Sequence, residues 1–122
     1  MKKKTVKKLG TRQLIKKCDI VFSKIVRSLG KCERCGRDTN LQCAHIMSRR
    51  HLQTRHDLTN AICLCYSCHL HWAHKEPFEF VAWVNKKYGE DTYEQIRKKS
   101  MGKEKIDWNE RYEALKDLVK RL

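Results

Sequence analysis

The sequence predicts an α+β chain, mostly helical, in which a small metal-stapled finger is flanked by an N-terminal helix and C-terminal helices. Three observations predict it. Two pairs, Cys32-Glu33-Arg34-Cys35 and Cys65-Tyr66-Ser67-Cys68, have zinc-knuckle spacing. Between them lie two short apolar runs, 41–46 and 61–64, separated by a polar stretch. Outside them, apolar residues recur every three or four positions, the period of a helix face.

Composition sets the scale. A chain of 122 residues has one domain's length, and with 40% hydrophobic and 34% charged residues its core is modest enough for a metal to matter. Lys and Arg number 28 against 14 Asp and Glu, a net charge of +14, which points to a polyanionic partner, nucleic acid ahead of an anionic membrane. Seven cysteines form an odd set, which favours metal thiolates in a reducing, intracellular setting over a disulfide framework. The basic start is followed by no apolar run, so neither a signal peptide nor a membrane span is expected.

Residues 1–10, MKKKTVKKLG, read as a flexible basic arm suited to phosphate contact, and 11–122 as one domain with its finger at about 31–75 and a helical extension over about 76–122. From Thr11 to Leu29 a stripe of Leu14, Cys18, Val21, Phe22, Ile25, Val26 and Leu29 predicts a helix with Cys18 as a core thiol, closed by Gly30. The stretch 47–60 is too polar for core, and a helix starting near Cys68 carries His69, His71 and His74. Pro77 opens a further helix that Gly89 closes, with Phe80, Val81, Trp83 and Val84 as core rather than base-stacking groups. Asp91-Thr92-Tyr93-Glu94 and Asp107-Trp108-Asn109-Glu110 each predict a capped helix start, the second leading a stripe of Trp108, Tyr112, Leu115, Val119 and Leu122.

Four thiolates in two such pairs make a closed tetrahedral site, so Cys32, Cys35, Cys65 and Cys68 are the expected ligands of a structural Zn2+. Cys43 and Cys63 are expected to pack as small apolar groups, with a second thiolate site as the alternative. Arg49, Arg50 and Arg55 lie in the polar stretch after His45 and are expected to hold phosphates without reading sequence. Lys86, Lys87, Arg97, Lys98, Lys99, Lys103 and Lys105 extend positive charge into the helical tail.

Taken together, C-x-x-C, then Ala44-His45-Ile46, then Asn60, then Leu64-Cys65-x-x-Cys68-His69 resembles the HNH endonuclease family, whose fold is the ββα-metal (His-Me) finger. The match covers roughly Cys32 to His74, with separations of fifteen residues from His45 to Asn60 and nine to His69, and the context from Arg49 to Ala61 is similar to phage-type members. The resemblance implies a metal-dependent endonuclease hydrolysing phosphodiester bonds of duplex or branched DNA, in phage DNA processing or recombination within a bacterial host, as a monomer or homodimer. It implies His45 as general base, Asn60 as organiser of the loop and His69 as ligand of a catalytic divalent ion, Mg2+ or Mn2+ with Zn2+ or Ni2+ as alternatives.

One position departs from the family: Ala44 stands where many members carry a metal ligand just before the base. Asn60, His71, His74 or water are the substitutes, although His74 lies five residues after His69, off the i, i+4 spacing of one α-helical face. Two other functions stay open on the sequence: a zinc-stabilised DNA-binding module without catalysis, and a recombination or assembly accessory that uses its helical tail for interaction.

Overall fold

The computed structural model describes residues 9–122; of the basic arm expected over 1–10, residues 1–8 lie outside the described residues. The elements run α1 (Thr11–Arg27), β1 (Leu41–His45), β2 (Ala61–Cys65), a π-helix (Ser67–Ala73), α2 (Pro77–Tyr88), α3 (Thr92–Ser100) and α4 (Trp108–Lys120), with a 3-10 turn at Leu58–Asn60. Among the described residues the chain is α+β and mostly helical, as expected, with one small antiparallel sheet.

Helix α1 begins where the Gly10 N–H is accepted by Gln13 Oε1 at 3.1 Å, and it buries Leu14, Cys18 and Phe22, one residue per turn. It ends at Arg27, two residues before the expected Leu29. The Gly30 N–H bonds back to the Arg27 carbonyl at 3.1 Å, and Gly30 takes φ 79°, so the chain turns off before Leu29 can join the stripe and leaves it half exposed.

The strands pair Leu41 with Cys65 through His45 with Ala61. Bonds from Ile46 N–H to the Asn60 carbonyl and from Tyr66 N–H to the Asn40 carbonyl, each 2.9 Å, bracket this ladder. Counting inward in twos makes Cys43 and Cys63 a non-hydrogen-bonded pair, whose side chains sit side by side. Ala44, Ile62 and Leu64 face an apolar cluster with Trp72, Phe80 and Val84, while Cys43 and Ala61 face a second one with Cys18, Phe22 and Leu115. Both faces of the sheet are covered, which is why these strands are apolar throughout instead of alternating.

After β2 the chain winds as a π-helix, in which the His74 N–H reaches the His69 carbonyl five residues back at 3.1 Å. Pro77 occupies the first turn of α2, whose Phe80 and Val84 are buried. Trp72 meets Phe80 and Trp83 edge to face with ring centroids 5.5 and 5.6 Å apart, so these aromatics are core, as expected.

Three expectations fail in detail. The Asp91 side chain does not cap α3; the Tyr93 N–H is accepted instead by Asn85 Oδ1 of α2 at 3.0 Å, because Gly89 (φ 135°) folds α3 back onto the end of α2. Leu122 lies beyond α4, 69% exposed, and does not extend its stripe, although Asp107 caps that helix as predicted, accepting from Glu110 N–H at 3.1 Å. The stretch 47–60 is not all surface, since Met47, Thr54, His56 and Asn60 are buried. Among the described residues no helix is long and apolar enough to cross a membrane.

Candidate metal centres and active-site cleft

The two Cys pairs converge as their spacing predicts. In each pair the second cysteine's N–H points at the first cysteine's sulfur at 3.5 Å, Cys35 to Cys32 and Cys68 to Cys65. Glu33 pins the first knuckle to the sheet edge: its N–H donates to the Cys63 carbonyl at 2.8 Å and its Oε2 accepts from Cys63 N–H at 2.9 Å. All four sulfurs lie within 4.8 Å of one another, with Cys35 and Cys65 at 3.6 Å. Tetrahedral metal–sulfur bonds of about 2.3 Å separate sulfurs by about 3.8 Å, so this set fits and could hold a structural metal such as zinc. Burial raises the Cys68 thiol, which crowds against the other three, while at Cys32 the same burial is outweighed by the N–H of Cys35 and its neighbours and the thiol is lowered. Each thiolate makes the next harder to form, a penalty that a cation removes. Arg34 adds positive charge here, its Nη1 3.5 Å from Cys68 Sγ and its guanidinium stacked 3.8 Å over the Trp72 ring.

On the other side of the sheet edge a cleft of about 720 Å³ opens between α1, β1 and the π-helix, lined by Phe22, Ser23, Arg27, Gln42, Cys43, His45, Arg49, His69 and His74 among others. His45 closes β1, and its Nε2–H donates to the Arg55 carbonyl at 2.9 Å, which leaves Nδ1 as the ring's free acceptor. Phe22 stacks on the imidazole with centroids 5.8 Å apart. Burial lowers the His45 pKa below its ordinary value of 6.5; the Arg55 carbonyl opposes this and the Arg49 and Arg55 charges add to it. The ring is therefore neutral at neutral pH, as a base requires.

His69 and His74 meet across the wide turn, with Nε2 atoms 3.1 Å apart and rings perpendicular. His69 Nδ1–H is held by Gln42 Oε1 at 2.8 Å, so its Nε2 lone pair is the one turned to His74. Two nitrogens each about 2.1 Å from one ion, at angles between square and tetrahedral, stand about 3.0 to 3.4 Å apart, which this pair satisfies. The sequence discounted His74 because five residues overshoot an α-helical turn; the π-helix restores the alignment. Ala44 is 1% exposed within the apolar cluster and offers no donor, and His71 is on the exposed outer side against Tyr66.

Asn60 is wholly buried and ties the loop to itself. Its Oδ1 accepts from Met47 N–H at 2.6 Å, and its Nδ2 donates to the carbonyls of Met47 and Thr54 at 3.1 and 3.0 Å. Both donors and the oxygen are thus committed to backbone, so Asn60 organises the loop and is not placed to ligate a metal.

The loop arginines have distinct surroundings. Arg55 is 17% exposed and grips both oxygens of Asp19 on α1 at 2.8 and 2.5 Å, so its guanidinium is committed to holding the loop whose carbonyl orients His45. Arg49 is 61% exposed, touching Asp19 Oδ2 at 3.0 Å, and Arg50 is exposed. Residues that sequence reasoning passed over complete the arrangement: Gln42, Asp19, Arg111 and His56. One signal was available, since Asp19 is the sole acid among the first 32 residues of a basic stretch.

His56, within the stretch 47–60 expected to be too polar for core, has a side chain with no exposed surface and bonds on both ring nitrogens: Arg111 Nη1 donates to Nδ1 at 3.2 Å and Nε2–H donates to Asp19 Oδ1 at 2.7 Å. A second proton would displace the Arg111 donor. Burial accordingly pushes its pKa down to about 4, against the pull of Asp19. A histidine depressed in the folded state contributes stability present above its unfolded pKa, about 6.5. That stability is lost as pH falls toward 4. Urea unfolding between pH 6.5 and 4.5 is expected to show stability falling with acid, and His56→Gln to reduce the slope by one proton's worth, about 1.4 kcal/mol per pH unit. An unchanged slope would mean that His56 is charged in the fold.

Comparison with known protein families, with curated proteins and with solved structures finds no match for this chain.

Proposed function

We propose that the chain is a metal-dependent endonuclease of the HNH type, a ββα-metal finger hydrolysing phosphodiester bonds of DNA, with Zn2+ on Cys32, Cys35, Cys65 and Cys68 as its structural staple. The observation that carries this reading is the single cleft in which a neutral His45, its Nδ1 free, shares the wall with the His69–His74 pair. His45 Nδ1 accepts the proton of the attacking water, while the Nε2–H bond to the Arg55 carbonyl holds the tautomer and ring orientation. His69 and His74 would hold a divalent ion, Mg2+ or Mn2+, and Gln42 keeps the His69 lone pair directed at it. When bound, such an ion supplies charge stabilisation to a phosphate oxygen and to the departing 3′-oxygen. Arg27 and Arg49, which both line the cleft, are the cations to meet the scissile phosphate.

Nicking of supercoiled plasmid in Mg2+ or Mn2+ tests this. His45→Ala is expected to slow nicking by roughly a thousandfold, within the range a positioned general base contributes. Wild type and His45→Ala equally inactive in every metal, with DNA binding intact, is the outcome that favours the second reading, a zinc-stabilised DNA-binding module. Ala44 speaks for that module, since it leaves the site one donor poorer than in many members of the family.

A further inference from the structure

Helix α1 carries a polar stripe that the proposed chemistry uses only at one end. Arg12, Lys16, Asp19, Ser23 and Arg27 fall three or four residues apart, on one face. Ser23 and Arg27 line the catalytic cleft, while Arg12 and Lys16 line a neighbouring groove of about 600 Å³ with Arg49 and Arg55. Asp19 and Arg49 border both hollows, which therefore adjoin. The groove holds four cations against the single carboxylate of Asp19, and that carboxylate is already engaged by Arg55, Arg49 and His56. Arg12 and Lys16 are exposed, and the ion pairs among the described residues include neither of them. At 1.5 Å per residue the stripe from Arg12 to Arg27 spans about 22 Å, the axial rise of about six base pairs of duplex.

We infer that this face of α1 is a rail for duplex DNA, contacting phosphates along the duplex axis. The duplex lies along Arg12 and Lys16, passes Arg49 and reaches the cleft at Arg27, so contacts fall within about six base pairs to one side of the scissile phosphate. The inference rests on the nuclease reading for the position of the cut, and on charge and the adjacency of the two hollows for the path. A rigid helix holds its cations at fixed spacing, which suits the fixed phosphate spacing of a duplex.

The test is fluorescence anisotropy of the full chain with a 30-bp duplex in Ca2+ over a salt series. R12A/K16A is compared with K86A/K98A, which removes the same charge from exposed positions on α2 and α3. Loss of two phosphate contacts is expected to lower the slope of log affinity on log salt by about 1.8 and affinity near 0.1 M salt by roughly tenfold. K86A/K98A is expected to change affinity by less than about twofold if phosphates are contacted at the rail alone. Equal losses in both pairs, or none in R12A/K16A, overturn the rail. Wild-type hydrolysis of the plasmid and of bis(p-nitrophenyl) phosphate, assayed in parallel with Mn2+, reports on the nuclease reading separately: inactivity toward both sinks that reading, while the anisotropy series still decides the rail.

Discussion

Replacing Cys65 by Ser is expected to abolish the cooperative thermal transition of the chain, and a strong chelator to do the same to the unaltered protein. The four sulfurs join a knuckle before β1 to the end of β2 and the start of the π-helix, across a sheet of only two five-residue strands. A hairpin of that size is marginal in water. Structural zinc contributes on the order of 10 kcal/mol in small fingers, comparable with the entire stability of a domain. Cys65 is also buried, so a hydroxyl there would have to find a new partner. Circular dichroism melts with and without chelator, beside elemental analysis giving about one zinc per chain, make the check. Cys43→Ser, which alters a half-buried thiol outside the cluster, serves as control and should cost about 1 kcal/mol. A melt that survives chelation unchanged would remove zinc from the fold.

Asn60→Ala is expected to cost about 4 kcal/mol in urea unfolding, and to lower nicking further where the protein stays folded. The substitution strands the buried N–H and carbonyl of Met47, each worth about 1 to 3 kcal/mol when left unpaired, and takes one of two donors from the Thr54 carbonyl, which keeps the Asp57 N–H at 3.1 Å. Asn60→Asp should be no better, because it keeps the acceptor for Met47 N–H but turns a carboxylate oxygen toward the carbonyls of Met47 and Thr54. The coupling to activity runs through the loop: Thr54 adjoins Arg55, whose carbonyl receives the His45 proton donor. A stability loss with unchanged nicking at low temperature would show that the loop orients His45 without Asn60.

Local patterns made much of this fold legible. Cysteine spacing gave the four-thiol cluster, β-branched and apolar runs gave both strands, and Pro77, Gly89 and Asp107 marked helix ends because each acts through its own backbone or its nearest neighbours. What escaped depended on distant partners. Asp91 has the right spacing for a cap, but Asn85 arrives first from the preceding helix. His56 reads as a loop histidine until Asp19 and Arg111, 37 and 55 residues away, enclose it. Arg55 reads as a phosphate clamp until the same Asp19 claims its guanidinium. In the candidate site, the order of His45, Asn60 and His69 was visible, whereas the tautomers set by the Arg55 carbonyl and Gln42 were not.

The wide turn after β2 bears on how such sites are found. A π-helical turn is equivalent to an α-helix that has accepted one additional residue without unwinding. H-x-x-x-x-H in this chain and H-x-x-x-H on a regular helix therefore describe the same pair of ring positions, the difference being absorbed by pitch. Deleting one residue between His69 and His74 need not separate them; it can relax the segment to ordinary winding with the nitrogens still facing. A search pattern that fixes the residue count between the two histidines passes over this chain, while one that asks which nitrogens meet would retrieve it.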